Sequence, residues 1–199
     1  ELLLKQWGEK AACNRWMHMY SSKAWKKTDK NLNMISICLS SVVSGSSLVG
    51  VFESFFPKNF IMLFVGLIGL LNIISQSTIR YYNPSQKAAL HDLAAQQFGN
   101  FQRFIVTKLS LSRLERGPPK LILEYVLKEN DRLYKENMEP LNESMNAFIL
   151  HFKSKIEEKE FEIPDYVNNT LSITIFDKNP AYQELKKLPL CKEKPISSI

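Results

Sequence analysis

Residues 60–79 read FIMLFVGLIGLLNIISQSTI, twenty positions without a charge. A helix rises about 1.5 Å per residue and needs roughly 20 residues to cross the hydrocarbon of a bilayer. The run meets that length and stops at Arg80, Tyr81 and Tyr82. Upstream, residues 32–56 read LNMISICLSSVVSGSSLVGVFESFF, with Glu53 as the one charge, and Pro57, Lys58 and Asn59 separate the two runs. Two such stretches in 199 residues fit a transmembrane hairpin better than a pair of helices buried in a soluble core.

The flanks orient the hairpin. Lys23, Lys26, Lys27 and Lys30 precede the first run, Arg80 and Lys87 follow the second, and Lys58 alone lies in the connection. Basic residues collect on the cytosolic side, so both termini are predicted there. Asn142-Glu143-Ser144 and Asn168-Asn169-Thr170 match glycosylation acceptors, but this topology keeps them from the modifying machinery. The first run starts after thirty residues of amphipathic sequence and is too long for a signal-peptide core, so it is expected to persist in the mature protein. Glu1 stands where an initiator Met would, as in a processed or partial chain.

Composition agrees with a folded protein of segregated charge. Apolar types make up 45% and aromatics 11%, too rich for disorder throughout. The formal charge of +6 flanks the apolar runs, where the positive-inside rule accounts for it, and nucleic acid is not an expected partner. Cys13, Cys38 and Cys191 are odd in number and far apart, which fits a reducing compartment rather than a disulfide framework. His18, His91 and His151 are equally scattered, and none has a Cys or second His three or four residues away. No metal or cofactor is expected. A phosphate-cradling loop, a Gly-x-Ser-x-Gly elbow and a His-Glu-x-x-His pair are all missing, so no catalytic residue is assigned.

The runs themselves carry a pattern. Asn33, Ser36, Ser40, Ser44 and Ser47 recur at three or four residues and share one helical face, and Gly66, Gly69, Asn72 and Gln76 form a similar stripe in the second run. Small residues let helices approach, and Asn, Ser and Gln bond across the contact. The same faces could line water in an oligomeric pore, although no charge sits mid-span to mark an ion path.

Outside the runs the periodicity is helical. Leu3, Leu4, Trp7, Ala11, Asn14, Met17 and His18 mark an amphipathic N-terminal helix. Asn83-Pro84 resembles a helix start, followed by a stripe through Leu90, Leu93, Ala94, Gln97, Phe98, Phe101, Phe104, Ile105, Lys108 and Leu109. The two helices leave the same side of the membrane and are predicted to pack antiparallel, with His91 at the contact as a packing or hydrogen-bonding residue. Gly117-Pro118-Pro119 is read as the stop of the second helix. Leu121, Ile122, Tyr125, Val126, Leu133 and Met138 then give one further apolar face, and Leu141, Met145, Phe148, Ile149, Phe152 and Ile156 another.

Beyond Pro164 one short β-branched strand is expected over 171–176, and then an extended, Pro-containing tail. A lone strand borrows an edge from a partner, so Leu171, Ile173, Ile175, Phe176, Tyr182, Lys186 and Lys192 are the candidate docking residues. The expected class is an all-α membrane protein. It divides into an amphipathic helix (1–30), a transmembrane hairpin (31–82), a helical cytosolic-side region (83–163) and an extended tail (164–199).

This arrangement over residues 7–166 resembles the SLATT family of two-transmembrane proteins. Trp7, Asn14, His18 and Tyr20 before a Ser- and Gly-rich first span carry the likeness, with Arg80 closing an uncharged second span, His91-x-x-Ala94-Ala95-x-x-Phe98 and Glu162-Ile163-Pro164. The resemblance implies a pore-forming membrane effector of nucleotide-signalling defence in bacterial members, and a virion membrane protein in relatives from large DNA viruses. The tail favours the second. The expected role is a non-enzymatic minor capsid component anchored in the inner membrane, with the lipid bilayer, capsid proteins and further copies of itself as partners; the alternative is an oligomeric pore.

Overall fold

No proline interrupts the first 45 residues, and in a computed structural model of the chain they form one helix, α1 (Leu2–Gly45), about 66 Å long at the usual rise. The structure describes residues 1–45, 58–112, 114–158 and 160–168; helix accounts for 86% of these and strand for none. The expected boundary between an N-terminal helix and a first span at residue 30 therefore lies inside a single element. After the connection come α2 (Lys58–Tyr82), α3 (Pro84–Ser110), α4 (Pro119–Glu136), α5 (Asn142–His151) and α6 (Lys153–Glu157).

α2 and α3 together run antiparallel to α1. Gly8 meets Ile105, His18 meets His91, and Ser40 meets Asn72. Gly8 is there for proximity, because a Cβ at that position would stand 3.2 Å from Ile105 Cγ2. α4 lies against α1 and α3, and α5 against α1, where Ser21 bonds Ser144 at 3.0 Å and Trp16 meets Phe148 edge to face. Ala11, Phe98, Phe101, Ile105, Val126 and Leu133 form the core, with Leu4, Trp7, Phe104, Leu109 and Ile122 partly buried around it. The chain then returns to α1, where the Glu162 amide donates to Glu9 at 3.0 Å. Residues 1–164 make one compact unit and 165–199 a second, in which α7 (Asp165–Asn168) is described.

Four expectations change in detail. Leu90 and Leu93, placed on the buried stripe, are 41% and 49% exposed, because α3 turns Ala88 and Ala95 inward beside the expected His91 and Ala94. Exposed too are Leu121, Tyr125, Met138 and Ile149. α3 stops at Ser110, seven residues before Gly117; Ser112 and Glu115 close the following turn, with the Ser112 hydroxyl and amide both donating to Glu115. The helix expected through Ile156 is broken at Phe152 (φ −107°, ψ 18°), which packs its ring against Trp16, Phe148 and Phe161.

The α2–α3 junction is a single residue. Asn83 adopts the left-handed conformation (φ 47°, ψ 53°), and its carbonyl accepts from Lys87 to begin α3 with Pro84 in the first turn. It stands at the cap position, as its sequence indicates, but its side chain donates to Gln86 rather than capping an amide. Asn tolerates this region where a β-branched residue does not. Asn83→Val is expected to be less stable than Asn83→Gly by about 1–2 kcal/mol in thermal unfolding of the detergent-solubilised chain.

Candidate functional site

Two regions of the long helix pair hold unusual chemistry. The first is apolar and uncovered. Phe60, Met62, Leu63, Leu70, Ile73 and Ile74 of α2 are 58–71% exposed, and Met34, Ile35 and Ile37 of α1 are exposed beside them. Water would make so much bare hydrocarbon unfavourable by about 25 cal/mol per Å², and monomeric soluble proteins rarely leave such a continuous patch. Among the described residues one helical stretch, Met62–Ser110, is long and apolar enough to cross a membrane; its apolar part is α2.

Within this region α1 and α2 touch through a polar seam. Asn72 donates to Ser40 at 3.0 Å, and its carbonyl oxygen stands 3.4 Å from the hydroxyls of Ser36 and Ser40 and from the Gln76 amide. Four of the nine stripe residues thus come together around Asn72. Asn33 and Ser44 are exposed on α1, Gly66 is exposed on α2, and a Cβ at either Gly66 or Gly69 would meet nothing within 4 Å among the described residues. Ser47 and the tail residues Leu171, Ile173, Ile175, Phe176, Tyr182, Lys186 and Lys192 lie outside the described residues, as does the expected strand. Asn72→Leu is expected to weaken the helix pair by about 1 kcal/mol, read as a lower midpoint in denaturing-detergent titration.

Below the apolar region lies a buried polar layer. Asn14, His18, Ser21 and Ser22 of α1, His91 of α3 and Ser144 of α5 are each no more than 2% exposed. The Nδ1 atoms of His18 and His91 are 3.0 Å apart, so one ring donates and the other accepts. His18 stacks on Phe98, and Asn14 donates to the Tyr134 hydroxyl at 2.9 Å. Burial, reinforced by the neighbouring imidazole, pushes His18 down to about 4. Burial also lowers His91, against the opposing effect of the Asp92 carboxylate. Asp92 is itself bonded to Lys26. Burial likewise raises the Cys13 thiol to about 12, aided by Glu9, which makes it an unreactive packing residue.

No protein family, curated protein or solved structure matches this chain. Asn14 and His18 of α1 lie in the same buried layer as His91, Ala94, Ala95 and Phe98 of α3. The sequence places His91 at the contact, but it does not give the pairs Asn14–Tyr134, His18–His91, Ser21–Ser144 and Lys26–Asp92. Their readable signal is a run of polar side chains, Asn14, His18 and Ser21, interrupting the apolar stripe at its own spacing. Among the described residues no three His, Cys, Asp or Glu side chains converge as metal ligands.

Proposed function

We propose that the chain is a non-enzymatic membrane anchor. In this reading both apolar runs cross a bilayer as a hairpin, both termini face the cytosolic side, and the helical bundle with its tail docks to a larger assembly. The assembly suggested by the tail pattern and the resemblance is a virion shell, which makes the chain a minor capsid component of the inner membrane. The observation that supports an anchor is the seam at Asn72, toward which Ser36 and Ser40 of α1 turn their hydroxyls across the helix contact. Crosslinking mass spectrometry on the native source tests the role. Links from Lys186 or Lys192 to shell proteins support it; self-links alone in a cellular membrane defeat it.

A second reading, an oligomeric pore-forming effector of the SLATT type, draws on the open surface at Gly66 and Gly69, where another copy could seat. It requires that Ser40→Leu or Ser44→Leu abolish ion flux through vesicles while oligomers persist.

A further inference from the structure

Where the packed core gives way to the apolar helices, the chain carries a collar of cations and aromatic rings. The last buried residue of α1 is Ser22 and the first of α3 is Pro84. Lys23, Lys27 and Lys30 follow at once on α1, spaced four and three residues apart and so on one face, and all are exposed. Arg80 and Tyr81 end α2 at the same level, with Tyr81 84% exposed. Lys87 fixes that level, because its ammonium lies 4.6 Å from the centre of the Trp25 ring on the opposite helix and 5.6 Å from that of Tyr82. Lys26 is taken by Asp92, but Lys23, Lys27, Lys30 and Arg80 make no ion pair among the described residues. Asp29 is the one acid interspersed among the α1 lysines.

We propose that this collar binds the headgroups of anionic phospholipids, an inference that rests on the membrane-anchor reading. Five cations against one unengaged acid attract negative charge, yet nucleic acid or an acidic protein would have no use for the surface directly beside it. On α2 that surface is bare hydrocarbon. An occupant must therefore be anionic at the collar and apolar immediately beyond it, which describes a charged phospholipid. Tyr81 and Tyr82 have the amphipathic character that suits them to the headgroup boundary. Basic side chains at such a surface each contribute about fivefold to attraction by an anionic leaflet, and salt screens it.

The test uses the full chain in phosphatidylcholine vesicles containing trace spin-labelled phosphatidylglycerol or phosphatidylcholine. The glycerol lipid is expected to be held at the protein surface about threefold or more over the choline lipid at low salt. Parity is expected in high salt and in the K23Q/K27Q/K30Q variant, and the corresponding Lys→Arg variant retains the preference. Equal retention of the two lipids by the wild-type chain, or an undiminished preference in the Gln variant, would overturn the collar. Inorganic phosphate erasing the preference more strongly than chloride of equal ionic strength would also overturn it, since a free phosphate site would then explain the charge. Alkaline carbonate separates the two levels: release of the wild-type chain from vesicles defeats the hairpin and the collar together, whereas a retained chain without lipid preference defeats the collar alone.

Discussion

Phe98→Ala is expected to lower the unfolding free energy of the helical bundle by about 3–5 kcal/mol. The ring is 2% exposed and sits where three helices meet: it stacks on His18 of α1 at 5.5 Å between centroids and meets Tyr134 of α4 edge to face at 5.8 Å. Its removal leaves a cavity beside the buried histidines that Ala94, Ala95 and Ala11 are too small to fill. Denaturant unfolding followed by Trp fluorescence measures the loss, and Leu93→Ala, at an exposed site on the same helix, is the control with a small effect. A loss below about 1 kcal/mol at Phe98 would show that the three helices do not pack as described.

Acid is expected to destabilise the same bundle by about 3 kcal/mol as the pH falls from 6.5 to 4. Burial first, and the second imidazole after it, lowers His18 from 6.5 to about 4 in the folded chain. Through that window the unfolded chain takes up a proton that the folded chain refuses. The stability contributed is therefore complete above pH 6.5 and is lost progressively toward pH 4, and His91, lowered by burial, acts in the same direction. Asp92 faces the pair from α3 with Lys26 opposite. Burial raises its carboxyl, but hydrogen bonds and the Lys26 charge outweigh that and hold it below its ordinary value of 3.8, so it stays ionised across the window. The double variant His18→Gln, His91→Gln removes both titrations, and its stability should be nearly flat between pH 6.5 and 4. Persistence of the wild-type slope in that variant would assign the acid effect to carboxylates elsewhere.

The parts of the fold that the sequence announces are those governed by one periodicity or one strong breaker. The stripe Leu4, Trp7, Ala11 and its counterpart Ala94, Phe98, Phe101, Ile105 are apolar every third or fourth residue, and they do meet, antiparallel. Asn83-Pro84 marks its junction because proline has no amide to donate. Other features depend on groups far apart in the chain. Leu90 and Leu93 fit the stripe as well as Ala88 and His91 do, and only the identity of the facing helix selects the smaller set. The Phe152 break has no Gly or Pro to signal it; it follows from the aromatic cluster with Trp16 and Phe161. At the candidate site, Ser36, Ser40, Asn72 and Gln76 were legible as a polar face, whereas the choice of Asn72 as the centre was not. Gly66 and Gly69 carry the same small-residue signal, yet a Cβ at either would meet nothing within 4 Å among the described residues.

The unbroken α1 has a mechanical consequence. Its partner is jointed at Asn83, while α1 continues past that level without a Pro or Gly for more than a turn on either side. A load on α5, which grips α1 at Trp16 and Ser21, is expected to pass along the unbroken α1 toward Ser36 and Ser40, with any bend of the pair falling at the left-handed Asn83 of the opposite rail.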